Sequence, residues 1–262
     1  MSLPSITIVT ASMNSERTIA ATLRSVSEQG YAGDLEHIVV DGGSTDGTLD
    51  IVRAAGLRFV SEPDRGLTDA LNKGIAMATG EVLGSLNSDD SYLPGALTRV
   101  GAAFVAHPEV EWVTGRCPIV DDHGQEIRRG VTRYKEAFLR RHSFTLHLVH
   151  NYISAPATFA RRRALEAVGG YDERFRYSAD YDMWLKLGRR GDPIVLDAAL
   201  ATFRMAGESL SLTGFETQFV EHAANAREHG AGHPLAVGLN RVASRTIVLL
   251  YRARARVAPR PR

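Results

Sequence analysis

The sequence predicts an α/β fold: a Rossmann-like mixed sheet with helices on both faces, followed by C-terminal helices. Three observations support this prediction. Apolar runs typical of strands alternate with segments of helical periodicity over the first hundred residues. The strand-like runs are continuously apolar, as in parallel strands that are buried on both faces. After about residue 110 the regular alternation ends and the pattern becomes mixed.

The first half of the chain contains four strand–helix units. The predicted strands are residues 6–9, 37–40, 58–60 and 82–86. The predicted helices are residues 15–28, 48–55, 67–78 and a segment from Pro94 to about residue 107. Ser15 is a residue type that caps helix starts, and Gly80 stops the third helix.

The second half is irregular. Its predicted strands are residues 112–114, 119–120, 126–127 and 157–159. The turn residues Asp121–Gly124 between the middle two strands predict a hairpin. Its predicted helices are one that ends at Gly169–Gly170, then residues 180–190, 215–229 and 235–256. Because no repeat or linker is visible, we expect one domain with a C-terminal helical appendage.

Composition excludes several classes of protein. The chain has 262 residues, of which 44% are hydrophobic and 23% are charged, as in ordinary globular proteins. The single cysteine, Cys117, excludes an internal disulfide or a multi-cysteine zinc site, and it reads as a small core residue. Residues 1–10 lack the features of a signal peptide, and no apolar run is long enough to span a bilayer. We therefore expect a cytoplasmic protein.

Charge is distributed unevenly along the chain. Residues 231–262 contain seven arginines and no acidic residue, which leaves 24 basic against 30 acidic residues in the remainder. An acidic body does not favour a nucleic-acid partner. The basic tail suits a contact with anionic lipid.

Carboxylates follow several of the predicted strands at the point where each strand ends. Asp41, Asp64, Asp89 and Asp90 would therefore meet at one edge of the sheet, where open α/β sheets bind ligands. Two unit charges about 4 Å apart repel by about 4 kcal/mol at an effective dielectric of roughly 20. A cation or a ligand rich in hydrogen-bond donors would relieve that repulsion. The alternative is that these residues are turn and cap residues.

Two common nucleotide motifs are absent from the sequence. The glycines at positions 42, 43 and 47 do not have the spacing of the dinucleotide fingerprint, and no P-loop pattern is present. A P-loop kinase or ATPase is therefore not expected.

Eight sequence blocks together resemble glycosyltransferase family 2, in order and spacing, over roughly residues 4–212. The blocks are Ile6–Asn14, Val39–Thr48, Pro63–Gly66, Asp69–Gly74, Asn87–Asp90, Gly169–Asp172, Ala179–Trp184 and Phe203–Arg204 with Ser209–Ser211. The resemblance implies a GT-A fold, a nucleotide-diphosphate sugar donor, a divalent cation (Mn²⁺ or Mg²⁺) and inversion at the anomeric carbon.

The resemblance also implies a role for individual residues. Asp41 would meet the base or ribose of the donor, and Asp64 and Asp69 would lie on the nucleoside side. Asp89 would face the ribose, and Asp90 would hold the cation against the diphosphate. The further implied donor-binding residues are Thr10, Ala11, Asn14, Lys73 and Asn87.

Asp180 matches the late acid that acts as general base in this family, and we prefer it to Asp182, which a helix would point elsewhere. The chain departs from the family pattern at Gly42, Met13 and Ala179, where a second acid, an aromatic residue and a glutamate are common. The first two changes touch the base-binding end, so the nucleotide base stays open.

The resemblance divides the chain into a GT-A domain, residues 1–212, and a helical appendage, residues 213–262. Within the domain, residues 1–108 would bind the nucleotide sugar and residues 109–212 the acceptor. The basic segment 128–141 is either an acceptor surface or a solvated face. Residues 235–256 interleave apolar side chains with arginines, so they could contact membrane, this domain or a second subunit.

His142, His147 and His150 are close in sequence, but their spacing fits no common zinc motif, and acceptor-side or surface roles are favoured. Two interpretations are open for Arg161–Arg163: these arginines form the solvated start of a helix, or they bind a phosphate of the acceptor.

The sequence as a whole predicts a metal-dependent inverting glycosyltransferase that acts on a glycan or lipid-linked acceptor in cell-surface polysaccharide or glycolipid synthesis. It would lie in the cytoplasm, with a peripheral contact at the inner face of the membrane. Two alternatives are a sugar-nucleotide nucleotidyltransferase, which lacks support because no glycine-rich basic loop follows the first strand, and a non-catalytic sugar-nucleotide-binding scaffold.

Overall fold

The structure is a computed structural model that describes residues 2–205 and 214–257. The predicted block Ser209–Ser211, the predicted domain boundary at residues 212–213 and the arginines 260 and 262 lie outside these residues.

Strands and helices alternate along the described chain. The strands are β1 (Ile6–Ser12), β2 (Leu35–Asp41), β3 (Arg58–Ser61), β4 (Val82–Ser85), β5 (Ser91–Tyr92), β6 (Trp112–Arg116), β7 (Ile119–Val120), β8 (Thr158–Arg161), β9 (Ile194–Ala199) and β10 (Ala201–Arg204). The helices are α1 (Ile19–Ser27), α2 (Thr48–Ala54), α3 (Leu67–Met77), α4 (Ala96–Ala106), α5 (Arg129–Leu139), α6 (Phe144–Val149), α7 (Arg162–Ala167), α8 (Ala179–Gly188), α9 (Phe215–His229) and α10 (Pro234–Val257).

Within the described residues, seven strands form one mixed sheet in the order β3-β2-β1-β4-β8-β6-β9. Strands β1 to β4 are parallel to one another, so their carboxyl ends lie at one edge. Strand β8 runs antiparallel between β4 and β6. The mixed α/β fold predicted from the sequence is confirmed.

The continuous apolar runs explain why this sheet forms. Every residue of β1 is buried, and apolar side chains on both sheet faces pack into separate clusters. Ile8 belongs to one of these clusters and its neighbour Val9 to the other, as expected where successive strand residues point to opposite faces. Helices cover both faces as a result.

A small second sheet, in the order β5-β10-β7, lies beside the end of β4. The predicted hairpin at Asp121–Gly124 is present, with Val120 bridged to Glu126 and the Ile127 amide donating to the Ile119 carbonyl at 2.8 Å. Helices α5 and α6 and strands β5, β9 and β10 were not predicted.

One predicted helix start is wrong. Helix α1 begins at Ile19, and Ser15 does not cap it with its side chain. The Ser15 hydroxyl instead lies 2.7 Å from the Ser88 hydroxyl, so it joins the loop after β1 to the loop after β4.

The two C-terminal helices pack on the second half of the domain. Helix α9 contacts α6 and α8, and α10 contacts α6 and α9. Among residues 2–205 and 214–257, no helix combines the length and apolarity that crossing a bilayer requires.

Candidate active site

One large cavity opens at the edge of the sheet where β1 and β4 end. Its volume is about 1750 Å³, compared with roughly 300–1,000 Å³ for pockets that hold one small ligand. One wall comes from the loops that follow β1, β3 and β4, and we call it the donor wall. The opposite wall comes from α5, residues 150–156, the start of α8 and helix α9. A cavity of this size and construction has room for two substrates.

Asp41 lies beneath the donor wall and is fully buried. Its carboxylate accepts hydrogen bonds from the backbone amides of Gly43 and Ser44 and from the hydroxyls of Ser12, Ser44 and Ser61. Burial raises the pKa of Asp41, but these hydrogen bonds outweigh burial and hold the pKa below its ordinary value. Asp41 is not among the described residues that line the cavity, so the predicted contact with the base or ribose does not fit its placement.

Asp64 lines the cavity on the donor wall. Its predicted position on the nucleoside side of the donor stays a prediction. Its carboxylate accepts a hydrogen bond from the Gly66 amide at 2.9 Å. Gly42 lies beneath it: a Cβ at this position would be 2.6 Å from a carboxylate oxygen of Asp64. Glycine stands at position 42, instead of a second acid, because Asp64 occupies that space.

Asp69 and Lys73 do not line the cavity, in contrast to their predicted donor contacts. Arg65 contacts Asp69 through its guanidinium at 2.9 Å, and the Lys73 ammonium contacts Asp69 at 3.3 Å and Glu62 at 2.8 Å. The hydrogen bonds from Arg65 lower the pKa of Asp69 to about 2. The charged groups of Asp69 and Lys73 therefore form ion pairs that stabilise the start of α3.

The two adjacent acids after β4 have opposite environments. Asp89 is partly buried and lines the cavity. Asp90 is fully buried and is not among the described residues that line the cavity. One carboxylate oxygen accepts a hydrogen bond from the Arg204 amide at 2.9 Å and the other lies 3.3 Å from the Asn87 amide nitrogen, so the side chain joins β10 to this loop. Its role as a cation ligand stays a prediction.

Burial raises the pKa of Asp89, and burial together with the charge of Asp89 raises the pKa of Asp90 well above its ordinary value. A partly buried carboxylate that faces a cavity is a suitable ligand for a hard cation, which usually takes only one or two protein carboxylates beside phosphate oxygens. No group of three or more potential ligands occurs among residues 2–205 and 214–257. Asp89 therefore fits a metal that is shared with a diphosphate.

Ala11, Asn14 and Asn87 line the donor wall, and their contacts with the donor stay a prediction. Asn14 adopts a left-handed backbone conformation (φ 48°), and its side-chain oxygen accepts a hydrogen bond from the Thr45 amide at 2.9 Å. Thr10 is buried behind this wall, where its hydroxyl lies 2.9 Å from His37 Nε2, so its predicted donor contact does not fit.

Asp180 lies on the opposite wall, at the start of α8, and lines the cavity. One carboxylate oxygen accepts a hydrogen bond from the Tyr181 amide at 2.7 Å, and burial raises the pKa of this carboxyl group. Asp182 is fully buried elsewhere and contacts Lys186 and His229, each at 2.7 Å. The structure thus separates the two acids as the helical spacing predicted.

Four further polar residues line the same cavity as Asp180: Lys135, His150, Asn151 and His222. The sequence analysis did not assign any of them individually to the site. Lys135 belongs to the basic segment 128–141 and His150 to the histidine cluster, so two of them lay in segments already marked for the acceptor side. His222 lies in α9 and follows no motif, and nothing in the sequence could have identified it.

Other marked residues have structural roles. His147 is buried, and His142 lies 3.3 Å from Asp192. Cys117 packs against the core, as predicted, and burial raises the pKa of its thiol. The Arg161 guanidinium donates to the carbonyls of Phe104, Pro108 and Val110, away from the cavity.

Comparisons with known proteins agree with this geometry. The sequence profile described as Glycosyl transferase family 2 matches residues 7–169. A PGL/p-HBAD biosynthesis glycosyltransferase of Mycobacterium bovis is 35% identical over 191 residues, which cover 70% of this chain and 69% of that protein. An uncharacterized glycosyltransferase of Mycobacterium tuberculosis is 30% identical over 214 residues, which cover 79% of this chain and 77% of that protein.

Solved structures with similar folds include two glycosyltransferases. The mannosyltransferase PcManGT from Pyrobaculum calidifontis, in complex with GDP-Man and Mn²⁺, has a TM-score of 0.69 and 21% identity over all of this chain and 82% of that chain. S. aureus TarS, in complex with UDP-GlcNAc, has a TM-score of 0.64 and 18% identity over 84% of this chain and 66% of that chain. These likenesses confirm the predicted GT-A fold.

Proposed function

Because the chain belongs to glycosyltransferase family 2, we propose that it moves a sugar from a nucleotide-diphosphate sugar to a hydroxyl group of a glycan or lipid-linked acceptor, with inversion. The observation that carries this proposal is the cavity, whose donor wall carries Asp64 and Asp89 and whose opposite wall carries Asp180. The nucleotide sugars GDP-Man and UDP-GlcNAc in the PcManGT and TarS complexes support a donor of this class.

Asp89 is the residue of this chain that would hold the cation. Asp89 reaches the cavity, whereas Asp90 fixes the loop from below. A bound Mn²⁺ or Mg²⁺ would offset the negative charge that develops on the departing nucleoside diphosphate. Asn14 and Asp64 border the same wall, and in this proposal they contact the nucleoside part of the donor.

Asp180 acts as the general base in this proposal. Its carboxylate takes the proton of the acceptor hydroxyl while that oxygen bonds to the anomeric carbon and the bond to the diphosphate oxygen breaks. A raised pKa brings the carboxyl group closer to the pKa that suits proton transfer near neutral pH. Burial of Asp180 at the cavity wall causes this rise in pKa, so the cavity itself adjusts the pKa of the proposed base.

The paired variants Asp89→Asn and Asp90→Asn test the metal assignment. Thermal unfolding is measured with UDP, GDP or dTDP, each with and without Mn²⁺. We expect wild type and Asp90→Asn to gain stability from one nucleotide in a Mn²⁺-dependent way, and Asp89→Asn to lose the Mn²⁺-dependent part. Asp90→Asn keeps an oxygen that accepts from the Arg204 amide and removes a buried charge beside Asp89, so its melting temperature without ligand should stay near that of wild type.

The opposite pattern would return the metal to Asp90. No stabilisation of wild type by any nucleotide, together with no donor turnover, would contradict the proposed activity itself. A donor-hydrolysis screen over nucleotide sugars of the responding base supplies that second measurement.

We place the reaction in the synthesis of a cell-surface polysaccharide or glycolipid, with the chain in the cytoplasm and in peripheral contact with the membrane. The similarity to the PGL/p-HBAD biosynthesis glycosyltransferase of Mycobacterium bovis supports a role in biosynthesis. Four apolar side chains of the C-terminal helix α10 are exposed and interleaved with arginines: Leu235, Leu239, Val242 and Leu249. Sedimentation with anionic and neutral vesicles tests the contact; equal recovery in the supernatant with both would contradict it.

A further inference from the structure

His222, in the C-terminal helix α9, lines the active-site cavity and has a ring nitrogen that makes no hydrogen bond with the described residues. Its side chain lines the cavity, and the residue is only 5% exposed. Its Nε2 atom has no hydrogen-bond partner among the described residues. A buried polar atom without a partner costs about 1–3 kcal/mol, so a ligand that supplies the partner recovers that free energy on binding.

The ring of His222 is held in place by packing. It meets the ring of Tyr181 at 5.0 Å and that of Phe219 at 5.2 Å, both in edge-on geometry. Tyr181 directly follows Asp180 in α8, so the imidazole packs against the helix that carries the proposed base, and both residues line the same cavity. Rigid placement in the cavity that holds the reacting group is what an acceptor-binding residue needs.

Helix α9 is also anchored to the segment that leads into Asp180. The Glu221 carboxylate accepts hydrogen bonds from the amides of Arg176 and Tyr177 and from the Ser178 hydroxyl, at 2.8–3.1 Å. The Asn225 amide donates to the Ser178 carbonyl at 3.1 Å. These contacts place His222 and the start of α8 in one rigid frame.

The imidazole is neutral near pH 7. Burial is the largest cause that lowers the pKa of His222, to about 3; the charge of Lys135, and that of His150 when it is protonated, act in the same direction. A neutral imidazole has one nitrogen that donates and one that accepts a hydrogen bond. A hydroxyl group can serve as the partner in either tautomer.

We propose that His222 Nε2 hydrogen-bonds a hydroxyl group of the acceptor, next to the hydroxyl that Asp180 deprotonates, and that this part of the acceptor is an uncharged glycoside. The inference rests on the proposed function, because it concerns the second substrate of the same cavity. It makes the appendage part of the acceptor site.

The charges around His222 favour an uncharged acceptor. Lys135 and Asp180 carry opposite charges, and burial lowers the pKa of His150 to about 4, so this histidine is also neutral. An acceptor phosphate or carboxylate at this wall would be attracted by Lys135 and repelled by Asp180, so the two charges together give no net preference for an anion. Tyr134, which lines the cavity and is 47% exposed, offers a ring face to a pyranose.

Three variants test the proposal. His222→Phe keeps a ring against Tyr181 but removes the hydrogen-bonding nitrogens, and His222→Gln restores a neutral donor and acceptor. His229→Phe is the matched control: it lies two turns later on the same helix, where it contacts Asp182. All three are checked for folding by circular dichroism and thermal unfolding.

The probes are methyl and p-nitrophenyl glycopyranosides, together with phosphate- and carboxylate-bearing analogues, used with the donor identified by the nucleotide panel. We expect wild type to glycosylate neutral probes. His222→Phe should raise the KM for the accepted probe about tenfold, which corresponds to about 1.4 kcal/mol, without changing the Kd of the nucleotide. His222→Gln should return KM to within about threefold of wild type, and His229→Phe should leave it unchanged.

Each other outcome overturns a stated part. An unchanged KM in a folded His222→Phe protein, or an equal rise in His229→Phe, removes His222 from the acceptor site. Transfer by wild type only to charged probes, or donor hydrolysis without transfer to any neutral probe, overturns the substrate class. Absence of both hydrolysis and transfer in wild type contradicts the proposed function instead.

Discussion

The two walls of the cavity satisfy their polar groups in different ways. Behind the donor wall, Asp41 receives five hydrogen bonds from its own chain, and Asp69 is paired with Arg65 and Lys73. On the opposite wall, His222 Nε2 has no partner among the described residues. The loops that face the donor are thus fixed before any ligand binds, whereas the acceptor side keeps hydrogen-bonding capacity for its substrate.

The largest expected effect is on the rate of transfer, and it distinguishes Asp180 from Asp182, which lies two residues later. Asp180→Asn should lower transfer by about 10²–10⁴-fold, because the acceptor hydroxyl loses its base, while nucleotide binding and stability stay near wild type. Steady-state transfer, measured alongside the nucleotide-induced thermal shift, checks this.

Asp182→Asn is the control on the same helix. It leaves the charge of Lys186 without its buried partner and takes the negative charge out of the 2.7 Å contact with His229, so it should cost about 3–5 kcal/mol of stability. Roughly 10 °C in melting temperature is the expected loss. Full turnover in Asp180→Asn would transfer the role of base to another group on this wall.

The donor wall was more predictable than the opposite wall, for a physical reason. Parallel strands end at one edge, so the residues that follow β1, β3 and β4 had to converge there, and Asn14, Asp64 and Asp89 do. Which acid of the pair Asp89–Asp90 faces the cavity depends on the amide of Arg204, more than a hundred residues later. The sequence order of the two acids carries no information about that contact.

The opposite wall is assembled from helices that meet only through tertiary packing. Lys135 comes from α5 and His222 from α9, and no short motif links them. The charged face of segment 128–141 could be seen in the sequence, but the placement of α9 against α8 depends on Glu221 and Asn225, which are ordinary surface residue types. Apart from Asp180, which lies in a recognisable block, the polar cavity residues of this wall were therefore not identified individually.

A medium-sized effect should come from Lys135, whose ammonium donates to the Ser154 hydroxyl at 2.9 Å. Its positive charge lowers the pKa of Asp180, against the larger upward effect of burial. Lys135→Met should raise that pKa further, so that the acidic limb of the pH–rate profile moves to higher pH. The loss of activity should be roughly threefold to tenfold at the acidic end and smaller at alkaline pH.

Arg140→Met serves as the comparison for this variant, because Arg140 follows α5, is exposed and pairs with Asp197 outside the cavity. Its pH–rate profile should overlay that of wild type. A uniform loss of activity in Lys135→Met at every pH would show that Lys135 acts by binding substrate and not by tuning the base.

The smallest effect concerns the hydrogen bonds that hold Asp41 behind the donor wall. Ser44→Ala removes a hydroxyl that donates to this carboxylate, so we expect a loss of about 1–2 kcal/mol in the free energy of unfolding at pH 7. Because the folded-state pKa of Asp41 is lowered, its contribution is complete above the unfolded-state pKa of about 3.9 and disappears as the pH falls through the folded-state value.

The difference between wild type and Ser44→Ala should therefore be constant from about pH 5 to 8 and should shrink below about pH 4. Urea unfolding at pH 7, 5 and 3.5 measures it. Ser27→Ala removes an exposed hydroxyl that donates to the uncharged Arg24 carbonyl, so its smaller effect should not vary with pH. A Ser44→Ala difference that stays constant down to pH 3.5 would mean that the hydroxyl supports the loop through the Asn14 amide, 2.8 Å away, and not through the charge of Asp41.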